Sequence, residues 1–184
     1  MNIPVFRFIG TVYRAHHSMW AFDPLSGKGA KRYGGRFNRP ETSALYTSLD
    51  LTTAWMEAQQ GFPFKAQPMT IVAYDVDCTN IADLNNPDTL QFLGFTLSQL
   101  ACAWEGLATQ KQDPPTWKLV DKLHTLGITG VQCRSFAPGC TEQNHNLILW
   151  KWADTPPNSI RVVDNLGRLP KSKDSWNDDI SKKK

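Results

Sequence analysis

The order of the patterned segments constrains this chain most: β-rich runs gather towards both ends and helical patterns fill the middle. Val5–Arg14 alternates loosely among β-branched and aromatic residues, which predicts a strand. Ala44–Ser48 and Met69–Val76 predict two more, and Ile128–Cys133, Asn146–Trp152 and Ser159–Val163 a further three. Asp50 is placed to cap a helix over Leu51–Gln60, with Ala54, Trp55 and Ala58 available for packing. Leu97–Glu105 and Thr116–Leu126 read as helices, and Pro114-Pro115 suits a helix start. Segregation of this kind implies an α+β class, not a regular alternation of strand and helix.

The chain has 184 residues, the usual size of one domain. A chain of that length buries roughly 70% of its unfolded surface and holds a core without disulfides or metal. Residues 1–170 are read as a single domain. Residues 171–184 carry five lysines and three aspartates around Trp176 and Ile180, a composition that predicts a disordered tail. No internal repeat is present. Runs such as Ile71–Ala73 and Leu147–Trp150 are far too short to cross a bilayer. Met1-Asn2-Ile3-Pro4 lacks the basic stretch and apolar segment of a signal peptide, so a soluble protein acting in a cytoplasm is expected. Cys78, Cys102, Cys133 and Cys140 contain no C-x-x-C pair, which argues against a zinc cage and predicts free thiols.

Charge is distributed unevenly. Residues 1–39 hold seven basic side chains (Arg7, Arg14, Lys28, Lys31, Arg32, Arg36 and Arg39) against one acid, Asp23, while the whole chain is only +3. Such asymmetry suggests that this segment meets an anion, although a solvated basic face is an equally good account. Residues 23–40 are rich in Gly, Pro and basic residues and read as a long loop. The loop matches neither G-x-x-x-x-G-K-[ST] nor a dinucleotide fingerprint. Arg14 and Arg36 are better anion ligands than its glycines, because guanidinium binds phosphate with two parallel donors. Taken singly, the other polar residues carry little. Glu57 on a helix is ordinarily solvated, and the adjacent His16 and His17 would point apart on a strand. Ser135 lacks the G-x-S-x-G context of a hydrolase nucleophile.

Taken in order, these fragments resemble a known family. Tyr13-Arg14, Gly34-Gly35-Arg36-Phe37-Asn38, Ala44-Leu45-Tyr46-Thr47-Ser48 and Ala54-x-x-Glu57 resemble the front half of a RES domain. Gly127-Ile128-Thr129-Gly130-Val131, Ser135 and Asn146-Leu147 resemble its back half. Phe37 stands where the family usually has tryptophan. The resemblance implies a fold similar to ADP-ribosyltransferases, a split, curved antiparallel β core with flanking helices. It also implies a bacterial toxin or delivered effector that depletes NAD by hydrolysis or phosphorolysis of the nicotinamide–ribose bond. A cognate antitoxin or immunity protein would restrain it.

The resemblance marks Glu57, Arg14 and Ser135 as catalytic, and Arg36, Tyr46, Ser48, Asn38 and Tyr13 as substrate-binding. The chemistry suits these residue types. Cleaving the bond develops positive charge on the ribose, which a carboxylate stabilises. Arginines hold the pyrophosphate, and Tyr46 offers a flat face for stacking. NAD is then substrate, with inorganic phosphate a possible co-substrate, and no metal or other cofactor is expected, since the nicotinamide ring nitrogen already activates the leaving group. Two other readings stand beside this one. A protein ADP-ribosyltransferase would use the same site. A nucleic-acid-binding module would use the aromatic-interleaved basic segment (Tyr13, Trp20, Tyr33, Phe37), but the net acidic remainder argues against direct nucleic-acid binding.

Overall fold

The computed structural model describes residues 3–59 and 68–176. Six strands, β1 (Val5–His17), β2 (Leu45–Ser48), β3 (Met69–Asp83), β4 (Gly130–Arg134), β5 (His145–Leu149) and β6 (Asn158–Val162), form one curved sheet. Its order is β1-β2-β5-β4-β3-β6, and β1 also pairs with β3, so five strands close into a barrel-like ring with β6 outside it. The helices are α1 (Lys28–Tyr33), α2 (Leu51–Ala58), α3 (Pro87–Leu93), α4 (Leu97–Leu100), α5 (Trp104–Thr109) and α6 (Pro115–Thr125).

The ring is uneven. β1 and β3 pair along nearly their whole lengths, from Val5 opposite Ala82 to His17 opposite Met69. By contrast, β1 meets β2 at one pair, Tyr13 opposite Ser48. That seam is the weakest join in the ring. All pairings are antiparallel except β3 with β4, which run parallel at Ile81–Asp83. The expected antiparallel core thus includes one parallel pair, because the helical crossover between β3 and β4 is long enough to return the chain in the same direction.

Side-chain alternation divides the core in two. Leu45, Leu147 and Leu149 join Val12, Val72, Tyr74, Val76, Cys78, Ile81 and Ile160 in a cluster of strand residues. The opposite faces of β4 and β5, carrying Val131, Cys133 and Ile148, pack with Leu90, Leu93, Leu100, Leu119, Val120 and Leu123 of the helices. Fully burying each such aliphatic side chain contributes roughly 1.5–3 kcal/mol.

Several expectations shift in extent. β3 runs to Asp83 instead of Val76, because the residues beyond Val76 pair with β1 and Arg7 bonds Asp77 across the strands. The loop expected over 23–40 contains α1, closed by Gly34 at φ 75°, a conformation that favours glycine. The single helix expected over Leu97–Glu105 is two, α4 and α5. The carbonyls of Leu100 and Cys102 accept from Arg36 at 2.8 and 2.7 Å, which diverts them from a continuous helical ladder. α3 went unforeseen, although Asn86 caps it, Pro87 opens it and Gly94 ends it in the left-handed region. Asp50 caps α2 as expected, accepting from Thr53 N at 2.8 Å. Gln60, at the end of the expected helix, lies outside the described residues. Within the tail, Lys173–Trp176 form a 3-10 turn and Lys173 Nζ lies 5.3 Å from the Trp20 ring centroid. Residues 177–184 lie outside the described residues. The four thiols are free. Among the described residues no helix is long and apolar enough to cross a membrane.

His16 and His17 do point apart. His17 is exposed, whereas His16 is buried with Nε2 2.8 Å from the Tyr74 hydroxyl, which in turn donates to Pro24 O. Burial pushes the His16 pKa down to about 3, Arg14 adds to the shift and Asp23 opposes it. Between the ordinary value of 6.5 and about 3, the unfolded chain binds a proton that the folded chain refuses. Stability therefore falls as pH drops through that window. Urea denaturation between about pH 6.5 and 5 should show wild-type stability falling by up to roughly 1.4 kcal/mol per pH unit from this group, and less steeply in His16→Gln. Identical slopes would remove His16 as the cause.

Candidate active site

A cavity of about 390 Å³ opens beside the β1–β2 seam, a volume in the range of small-molecule sites. Tyr13, Arg14, Arg36, Tyr46, Ser48 and Glu57 all line it. Ser135 and Asn38 stand behind these residues, both essentially buried. Residues from β1, β2, α2 and the loop after α1 thus converge on one concavity.

Register explains the convergence. Tyr46 and Ser48 lie two apart on β2 and share a face, while Leu45 and Thr47 are buried on the other. Ser48 is opposite Tyr13 on β1 and Asn146 on β5, and Asn146 is opposite Cys133 on β4. Four strands therefore contribute one transverse row. Glu57 follows buried Thr53 and Ala54 by four and three residues, so it projects from the inward face of α2.

Two members of the row, Ser48 and Asn146, enter a chain of hydrogen bonds that ends on Glu57. Ser48 Oγ donates to Asn146 Oδ1 at 2.7 Å, which orients the amide, and Asn146 Nδ2 donates to Glu57 Oε1. Ser135 Oγ donates to the same carboxylate oxygen at 2.6 Å and accepts from Ala137 N at 3.1 Å. Two donors from different elements thus fix the carboxylate, and hydrogen bonds to a charged group are the stronger kind.

The loop carrying Arg36 is held equally closely. Trp117 Nε1 donates to Gly35 O and Trp150 Nε1 to Phe37 O, each at 2.8 Å. Tyr46 Oη accepts from Phe37 N at 2.9 Å and donates to Asn38 Oδ1 at 2.8 Å. Asn38 Nδ2 lies within 2.9 Å of the carbonyls of Ala30, Arg39 and Thr42, so this side chain is spent on the loop itself. Gly35 sits where a Cβ would come within 2.5 Å of Tyr46 Oη, so only glycine allows that approach. Burial raises the Tyr46 pKa and keeps the phenol protonated as a donor. Arg39 clamps the loop from outside through Asp113 and Asp121.

Both candidate arginines are partly committed to backbone. Arg36 Nη1 holds the carbonyls of Leu100 and Cys102, and its guanidinium lies 4.8 Å from the Phe136 ring centroid. Burial lowers its pKa, with Cys102 and Glu57 pulling it back up. Arg14 Nη1 donates to Ser26 O at 3.1 Å and to Pro24 O at 3.4 Å. The other basic residues of the first segment lie elsewhere. Arg7, Lys28 and Arg39 meet acids, and Arg32 lies against Tyr33. Among the described residues no group of three His, Cys, Asp or Glu side chains is placed to hold a metal ion.

The RES-domain family model matches residues 11–172, which is most of the chain and spans every residue of this site. This is a RES-domain protein. No curated protein matches the chain. Sequence reasoning about the RES domain gave no role to several residues at the site, Asn146, Phe136 and Trp104 among them. Asn146 was part of the resemblance but had no assigned role, although it joins Ser48 to Glu57. Phe136 and Trp104 also line the cavity. The adjacency of Phe136 to Ser135 was a usable signal; for Trp104, within the helical middle of the RES domain, nothing local distinguishes a cavity residue from a core one.

Replacing Tyr46 by Phe leaves Phe37 N and Asn38 Oδ1 without their partner. The expected loss is about 1–3 kcal/mol, read by urea denaturation. A variant as stable as wild type would show that the hydroxyl does not hold the loop.

Proposed function

We propose that this RES-domain protein cleaves the nicotinamide–ribose bond of NAD. The observation that carries this reading is the Glu57 carboxylate, fixed by Ser135 and Asn146 at a cavity that also presents Arg36, Arg14 and Tyr46. In the proposed reaction the electron pair of the glycosidic bond leaves with nicotinamide, whose positive ring nitrogen becomes neutral. Positive charge then grows on the ribose. Glu57 lies against a ribose hydroxyl and opposes that charge, while Ser135 and Asn146 keep its carboxylate from turning away. Tyr46, with its hydroxyl already engaged in the loop, offers its ring face to the nicotinamide side. Arg36 faces the pyrophosphate, assisted by Arg14. Water or inorganic phosphate then attacks the anomeric carbon. The family's association with NAD-directed toxins supports this reading, and a cytoplasm, the protein's own cell or a target cell, is the compartment where NAD is met. A proteinaceous inhibitor covering the cavity follows from the harm an unrestrained NAD-consuming enzyme would do.

Product identification tests the reaction. Purified protein incubated with labelled NAD should release nicotinamide with free ADP-ribose, or with its phosphate ester when phosphate is present. Label carried onto protein would replace this reading by ADP-ribosyl transfer, and intact NAD would remove it.

Two substitutions separate chemistry from anchoring. Glu57→Gln retains an oxygen able to accept from Ser135 and Asn146 but loses the charge, so kcat should fall by roughly 10²-fold or more. Arg36→Lys keeps the charge but loses the planar fork, so its main effect should be a raised KM. Unchanged turnover in folded Glu57→Gln protein would sink the assignment of Glu57. Unaltered NAD affinity in Arg36→Lys would move the pyrophosphate site elsewhere.

A further inference from the structure

Arg14 is held on one edge only. Its Nη1 donates to Ser26 O at 3.1 Å and to Pro24 O at 3.4 Å, whereas Nε and Nη2 make no hydrogen bond among the described residues. Neither of those nitrogens is sealed inside the protein: among the described residues the buried side-chain atoms without a partner are Thr89 Oγ1, Thr116 Oγ1 and Arg134 Nε. Arg14 lines the active-site cavity, so the Nε–Nη2 edge keeps access to it. That edge is a fork that matches two oxygens of one acid. Arg7 uses the same pair of nitrogens on the two oxygens of Asp77, each at 2.6 Å.

What holds the other edge is a turn, Pro24 to Ser26, outside any helix or strand. Two side chains from distant parts of the chain pin it. Tyr74 Oη donates to Pro24 O at 2.9 Å, and Trp152 Nε1 donates to Leu25 O at 3.2 Å. Register supplies the first contact. Val12, Arg14 and His16 share one face of β1, opposite Tyr74, Val72 and Thr70 of β3, so the phenol reaches the carbonyl that Arg14 also meets. The phenol spends its one proton on Pro24 O, so His16 Nε2, 2.8 Å from Tyr74 Oη, is the donor to it and the hydroxyl is fixed from both sides. Gly27 allows the second contact. A Cβ there would come within 2.7 Å of the Trp152 ring, so glycine lets the indole lie against the turn.

We propose that Tyr74 and Trp152 are positioning residues for Arg14. By pinning the turn whose carbonyls take Nη1, they keep the Nε–Nη2 fork open to the cavity, where it pairs with two oxygens of a substrate phosphate. Neither side chain lines the cavity, so each acts through Arg14. The inference rests on the reading of Arg14 as a ligand of the pyrophosphate.

The test is a pair of double-mutant cycles on the full chain. Tyr74→Phe and Trp152→Phe are made alone and with Arg14→Lys, inorganic pyrophosphate is titrated calorimetrically, and NAD turnover is measured alongside. Each single variant should weaken pyrophosphate binding at least threefold and raise KM for NAD by a similar factor, with a smaller change in kcat. In the Arg14→Lys background neither substitution should add more than twofold, because the group they act through has lost its fork. Trp152 is half-buried and phenylalanine keeps a ring against Gly27, so this variant guards against a folding defect in Tyr74→Phe. Unchanged affinity in both phenylalanine variants, or losses that simply add to that of Arg14→Lys, would overturn the proposal. No pyrophosphate binding by wild type, or unchanged affinity in Arg14→Lys, would overturn it together with the Arg14 assignment. Coupling on pyrophosphate in a protein that leaves NAD intact would remove the proposed reaction and uphold this inference.

Discussion

One carboxylate oxygen organises the site. Glu57 Oε1 receives a hydroxyl from the segment after β4 and an amide from β5, while the carboxylate itself is carried by α2. Three separately folded pieces must therefore be in register before the site exists. Ser48 extends the tie to β2 by fixing which way the Asn146 amide points. A charge held in this manner needs little reorganisation when an opposite charge develops nearby, which is the physical content of a preorganised site.

The second organising device is the rigid loop from Gly34 to Arg39. Its carbonyls are taken by two indoles and its amide by a buried phenol, so its backbone groups are satisfied without regular secondary structure. This is how a segment without helical or strand pattern holds a charged side chain at a defined place. The arrangement is reciprocal: Arg36 in turn shapes the helical layer by capturing two carbonyls between α4 and α5. The arginine that faces the cavity is thus also a strut of the fold.

The basic first segment resolves into different duties once folded. Arg7 and Arg39 brace β3 and α6 through aspartates, while Arg14 and Arg36 reach the cavity. Net charge over 39 residues does not say which cations share a place, and pairing with acids far along the chain decides which of them remain near the site.

Much of the fold was legible in the residues. Short β-rich runs placed all six strands in outline, and Asp50 announced α2, because these signals are local and depend on backbone geometry and capping alone. The resemblance to the RES family rests likewise on short ordered fragments around Arg14, Arg36, Tyr46, Glu57 and Ser135. Other features were decided by contacts between distant segments. The long reach of β3 depends on β1, and the break between α4 and α5 depends on a side chain more than sixty residues earlier. So does the division of labour among the site residues. The resemblance marks Asn38 as a ligand contact, yet the loop encloses it, while Asn146 joins Ser48 to Glu57 only because β2 and β5 pair in one register. Local propensity sets where elements form along a chain. Which polar atoms end facing a cavity is set by strand register and ring closure, which only tertiary contacts determine.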